Sequence, residues 1–315
     1  MLTFEQWKSD IQVTGQVNLV TTAVLRFKNC GLTKCITCYL MAMALADLLV
    51  VILDLILRHI PILFREQFIF LYYVPVCNIH AVLIYAATDC SVWFTVTCTF
   101  DRFVAISCPM LKNKYCSEKT AAVVLGTVTL LSCVKNIFWY FMFATRYVLK
   151  NFPWFCDVTE NVRDSPLWTT MEILQYILTP GLPFFLILLL NVLTVRHILM
   201  SSRARRRLRA HSSRKRPKDP AMESRRKSII LLFVISANFI LLWSTFMVYS
   251  IWYRMWDFEF VSFWIDMFVM ELGFMLQLLS CCTNTAIYAV TQTQFRKQLK
   301  NVLAYPLALF LKCFQ

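Results

Sequence analysis

Charge and glycine are scarce in this sequence. Only 16% of its 315 residues are charged and glycine occurs 5 times; a soluble domain carries about a quarter charged residues. With 58% hydrophobic residues the chain cannot hide its apolar surface in a single water-soluble core, so lipid must be its solvent. Chemistry-bearing clusters are lacking too. The 4 histidines, His59, His80, His197 and His211, are scattered and form no metal triad. No Gly-x-Ser-x-Gly stands anywhere, which argues against a membrane hydrolase, and no enzyme is expected. No Asn-x-Ser/Thr acceptor for an N-linked glycan is present. An internal repeat and Gly/Pro-interrupted midplane helices, the marks of a transporter, are also missing. The opening residues, Met1 to Asp10, mix Phe4 and Trp7 with Glu5, Lys8 and Asp10. They lack the basic start and apolar core of a cleavable signal, so the first span is expected to act as its own insertion signal.

What is present is a series of long apolar segments, at 11–27, 36–64, 74–108, 120–143, 167–200, 228–253 and 261–290. All but the first reach the ~20 residues that cross a bilayer. In hydrocarbon each segment must satisfy its own backbone, so all seven are expected to be helices. The expectation is an all-α membrane protein, one seven-helix domain over 1–315, with a short amphipathic cytoplasmic helix near 293–312. The net charge is +14, and 12 of the 32 basic residues lie between Arg203 and Lys227. A basic run between spans is the signature of a cytoplasmic loop and argues against nucleic acid as partner. Arg26, Lys28 and Lys34, then Lys112, Lys114 and Lys119, then Arg296, Lys297 and Lys300 mark the other inner segments. The N-terminus is therefore outside. The first span, broken by Gln12, Gln16 and Asn18, is short for a bilayer of ~30 Å, as in a truncated form.

Thirteen cysteines are present, of which only Cys77 and Cys156 fall in predicted outer segments. A disulfide between them is the natural pairing, with two unpaired thiols as the alternative; the others face reducing surroundings or lipid. Cys30, Cys35 and Cys38 lack a fourth metal ligand nearby. Ionisable residues inside a membrane are functional candidates by default. Asp47, Asp54 and Arg58 recur at steps of 7 and 4, which at ~100° per residue returns them to one face. Asp54 and Arg58 can pair and neutralise each other, or they can serve a ligand. Asp47 has no basic neighbour on its helix and needs polar groups from other spans, such as Asn18, Ser91 or Asn284.

Asp101-Arg102-Phe103 closes span three, and alone could be interfacial snorkelling. Taken with its surroundings, residues 88–106 resemble the third helix of a rhodopsin-like (class A) G-protein-coupled receptor. Cys77 stands 25 residues before Arg102, as that family's disulfide cysteine does. Met43-Ala-Leu-Ala-Asp47 resembles the second-helix motif, Asn18 the first-helix asparagine and Pro183 the fifth-helix proline. Phe239 and Trp243 resemble the sixth-helix Phe-x-x-x-Trp, and Asn284-Thr-Ala-Ile-Tyr288 the seventh-helix Asn-Pro-x-x-Tyr. Phe295-Arg296 opens a helix like the family's eighth, which lies along the membrane surface. Within the family, the missing fourth-helix tryptophan, Asn191 in place of a tyrosine, and the run from Leu279 to Tyr288 resemble the orphan group that includes probable G-protein coupled receptor 139.

The resemblance implies roles. Asp47, Ser91 and Asn284, with Asn18, would form a polar site able to take a sodium ion. Arg102 would switch from Asp101 towards a G protein, Trp243 and Phe239 would sense ligand, and Tyr288 and Asn191 would belong to the activation switch. Heterotrimeric G protein, arrestin and membrane lipids are the implied partners, and the plasma membrane the location. Phe103 replaces a tyrosine. Thr245 and Thr285 replace the prolines that kink helices six and seven; without the rings both helices are expected to run straighter. Ile84 stands where amine receptors carry an aspartate, which argues against a biogenic amine. Arg58, Asp54, Ile84, Tyr85, Thr88, Asp89, Phe246, Glu271, Phe274 and Gln277 are the expected pocket. Its mixture of aromatic rings and charges suits an aromatic amino acid or a peptide-like ligand. A receptor-like protein that folds without signalling is the alternative.

Overall fold

The computed structural model describes residues 18–26, 33–59, 74–141, 165–210, 220–255, 263–292 and 294–301. All the regular structure among them is helical, as a backbone without water requires. We number the spans in chain order. Span one is described over 18–26. Span two runs Lys34–Val50 and continues as a π-helix over Val51–His59. Span three is Val74–Ser107, followed by a short helix, Pro109–Tyr115. Span four is Glu118–Asn136 with a 3-10 end, Ile137–Phe141. Span five runs Pro166–Tyr176, a π-turn at Ile177–Gly181, then Leu182–Ala210. Spans six and seven are Pro220–Met255 and Phe263–Thr291. Six of these are long and apolar enough to cross a membrane.

Where the helices begin follows from capping chemistry. Thr33, Ser117 and Ser165 each accept a hydrogen bond from the backbone N–H three residues on, at 3.4, 3.1 and 3.2 Å. Such caps meet donors that the first turn leaves open. Spans two, four and five therefore start one or two residues before their apolar runs. Spans five and six overrun their predicted limits at the cytoplasmic side. Hydropathy reports the bilayer, whereas the arginines beyond it remain good helix formers. Spans six and seven run as unbroken α-helices through Thr245 and Thr285, so the missing proline rings leave no break in either ladder.

Span three is the axis of the bundle and packs against spans two, four, five and six. Span six packs most extensively on span seven. Gly273 allows this, because a Cβ there would stand 3.2 Å from Phe246 Cα. A cytoplasmic core joins Val24 and Leu25 of span one to Leu40, Phe94, Ile235 and Tyr288. Phe295 is fully buried in that core while Arg296 and Lys297 are exposed, so the helix over 294–301 is amphipathic as expected. Span four is covered least. Val123, Leu130 and Val134 are exposed on it, a face that only lipid solvates.

Candidate functional site

Asp47 is 1% exposed at the middle of span two. A carboxylate in hydrocarbon needs donors from elsewhere. Ser91 Oγ of span three donates to Oδ1 at 2.5 Å, and Asn284 Nδ2 of span seven donates to Oδ2 at 2.8 Å. Asn18, expected at the same site, acts one step away: its Nδ2 donates to the Cys281 carbonyl at 3.0 Å. That bond anchors span one to the turn of span seven that carries Asn284. Spans two, three and seven thus meet at one buried acid, and span one braces span seven beside it.

At the cytoplasmic end, Asp101 and Arg102 are 5% and 7% exposed and form an ion pair with each other. The Cys35 thiol of span two donates to Asp101 Oδ1 at 3.3 Å, and the Cys116 thiol, beyond the short helix, donates to the Asp101 carbonyl at 3.6 Å. Burial, and then the nearby Asp101 carboxylate, push the Cys116 thiol up to about 11, so at neutral pH it remains a donor. Buried Arg102 is therefore turned inward and held, rather than stretched towards headgroups as snorkelling requires. Phe103 beside it is half-buried. The sequence carries no sign of these thiol partners, because a cysteine has no local mark of polar duty. Tyr288 is 1% exposed with its hydroxyl unpartnered and its ring against Phe295, centroids 5.9 Å apart.

Above this core stands a column of rings. Phe239 stacks on Trp243 at 5.5 Å, Trp243 meets Phe246 edge-on at 6.3 Å, and Phe246 lies 5.4 Å from Phe274 of span seven and 6.2 Å from Tyr176 of span five. Phe239 and Trp243 pack on Val92, Val96 and Ile187. A change at the Phe246 end can reach the span three core through contacts between rings alone.

The remaining pocket residues divide. Ile84 is enclosed with Val51, Leu53 and Leu278 between spans two, three and seven. Thr88 and Gln277 are half-buried, and Asp54 is buried at 7% exposure. The α-helical period used to align Asp47, Asp54 and Arg58 ends at Val50. The π-helix changes the rotation of each later residue, yet Asp47 and Asp54 are both buried. The carbonyl of Leu53 in this wide turn is met by His80 Nε2 at 2.8 Å. The side chains of Arg58 and Glu271 lie outside those described.

Asp89, expected in the pocket, meets groups from spans four and five. Lys135 Nζ lies 2.6 Å from Asp89 Oδ2, and Asn136 Nδ2 donates to the same oxygen at 2.6 Å. Gln175 Nε2 donates to Oδ1 at 3.4 Å. Asn136 also accepts from Trp139 Nε1 at 3.0 Å, and Trp139 stacks on Tyr85 at 4.6 Å. A buried acid takes the nearest cation, and Lys135 is the only base within the apolar part of span four. The rule that intramembrane charges are functional candidates applies equally to Lys135, which stands inside an apolar run. No group of three potential ligands able to hold a metal occurs among the described residues.

Cys77 is fully buried and disulfide-bonded; Cys156 lies outside the described residues. Compared with known protein families, residues 17–288 match the 7 transmembrane receptor (rhodopsin family). The match runs from the residue before Asn18 to Tyr288, the two ends of the polar scaffold described above. Its span covers most of the chain, and with the helices in that order this multi-pass membrane protein belongs to the rhodopsin family of seven-transmembrane receptors.

Proposed function

We propose that this receptor binds an extracellular small molecule, an aromatic amino acid or peptide-like ligand, and thereby activates a heterotrimeric G protein at the plasma membrane. The observation that carries this reading is the buried Asp101–Arg102 pair at the inner end of span three. An arginine held inward by its neighbour can be released to an incoming partner, a two-state shift set by differential binding. The column from Phe246 to Phe239 supplies the route by which ligand biases that equilibrium. Arrestin would recognise the same opened face. The Cys77 bond supports a disulfide to Cys156 that closes the outer side.

Around Asp47, hard oxygen donors suit a sodium ion. The Asp47 carboxylate and Ser91 Oγ would hold it, and the ion would screen the buried charge. The ligand class rests on the aromatic lining by Tyr176, Phe246 and Phe274, on Arg58 as a fork for a carboxylate, and on the resemblance to the orphan group named above.

The test is Arg102→Ala in the full receptor. Nucleotide exchange on co-expressed G protein should be lost while surface labelling and ligand binding persist. Full exchange by the variant would reduce the arginine to a packing role. If the unaltered receptor drives no exchange with any Gα class, basally or across an amino-acid and peptide panel, it is a receptor that folds without signalling.

A further inference from the structure

Between spans five and six, over their cytoplasmic halves, runs a groove of about 750 Å³. Its wall along span five is one helical stripe that includes Leu188, Val192, Val195 and Leu199, with Val192, Val195 and Leu199 exposed. Two polar residues interrupt this apolar lining, Asn191 from span five and Ser236 from span six. They are 9% and 1% exposed, and Asn191 Oδ1 and Ser236 Oγ have no hydrogen-bond partner. Polar atoms left unmet in hydrocarbon are costly, and these two lie at the same groove.

The cytoplasmic end is different. Arg196 and Arg203 line it, both exposed, and among the described residues neither pairs with a carboxylate. Seven residues separate them, about 10 Å along the helix at ~1.5 Å per residue. From Leu188 to Arg203 the groove runs about 22 Å by the same rise, more than the ~15 Å acyl depth of one leaflet, half of a ~30 Å core. It therefore passes from the acyl layer to the headgroups, apolar at one end and cationic at the other.

We propose that this groove binds one anionic phospholipid of the cytoplasmic leaflet. The phosphate sits at Arg196 and Arg203. The ester carbonyls lie deeper, where the unpartnered Ser236 hydroxyl can donate to one of them. An acyl chain follows the stripe past Val192 to Leu188. Charge complementarity selects this occupant over a neutral lipid, because anionic lipids are concentrated in that leaflet and each nearby arginine adds to their attraction.

The experiment uses the full receptor in phosphatidylcholine nanodiscs. These carry either a phosphatidylserine or a phosphatidylcholine probe with a photoactivatable acyl chain, and mass spectrometry locates the label. The serine probe should mark peptides of spans five and six that border the groove, well above the choline probe. At subsaturating probe, Arg196→Gln should cut that labelling about fivefold, and Arg196→Gln with Arg203→Gln about thirtyfold. Lys297→Gln with Lys300→Gln removes two exposed charges elsewhere and should leave it unchanged. Ala237→Phe fills the groove without altering charge and should also abolish it, which keeps the test decisive if the arginine variants fold poorly. Equal labelling by both probes, labelling that survives the double arginine change, or label confined to other spans would each overturn the site.

Discussion

Replacing Lys135 with methionine tests the least expected feature of the bundle. Asp89 is 1% exposed and Lys135, whose side chain is 27% exposed, lies 2.6 Å from it. Removing one partner of a buried ion pair costs about 3–5 kcal/mol because the other charge stays behind uncompensated. Here Asn136 and Gln175 would still donate to Asp89, so Lys135→Met should fall at the low end, about 3 kcal/mol. Asp89→Asn strands a lysine whose Nζ is buried but whose stem is partly exposed; the side chain can extend towards the interface, so about 1–2 kcal/mol is expected. Once Asp89 is neutral, adding Lys135→Met should cost little. The double variant should therefore resemble Asp89→Asn alone, with a coupling of about 2–3 kcal/mol. Methionine also makes span four more apolar, but that contribution cancels in the cycle. The assay is reversible unfolding of purified receptor in one detergent, without ligand. Additive losses would refute the pairing, as would a Lys135→Met receptor no less stable than the parent.

Gly273→Ala should cost about 1–3 kcal/mol of stability by overpacking span seven on the Phe246 backbone, whereas Gly126→Ala, with nothing within 4 Å of the new methyl group, should gain about 0.5–1 kcal/mol; the same unfolding assay reads both, and equal effects would contradict the close approach. Cys77→Ser and Cys156→Ser should each lower the yield of folded receptor, with the double variant no worse than the poorer single, since one bond is lost in every case; additive losses by surface labelling would rule out the pairing. Arg58→Gln should weaken a carboxylate ligand by about 1.5–3 kcal/mol and spare its amide analogue; equal loss for both, measured by competition binding, would make Arg58 structural.

The sequence by itself determined the solvent, the helices and their order. Runs of about 20 apolar residues with bases on alternate sides leave few other arrangements, and the six long spans stand where those runs stand. Asp47 was legible as a buried acid in need of outside donors, and Ser91 and Asn284 supply them. The tertiary structure alone decided which polar group each intramembrane charge meets. Asp89 and Lys135 lie on different helices, 46 positions apart, and nothing local to either specifies the rotation or depth at which the helices pack. Hydropathy treats a lysine in an apolar run as a small penalty, while in the bundle it is the partner that makes Asp89 tolerable. The wide turn at Val51–His59 is equally silent in a sequence without proline or glycine there. His80, reaching from span three to the Leu53 carbonyl, supports that turn, and a contact between helices cannot be read from either one.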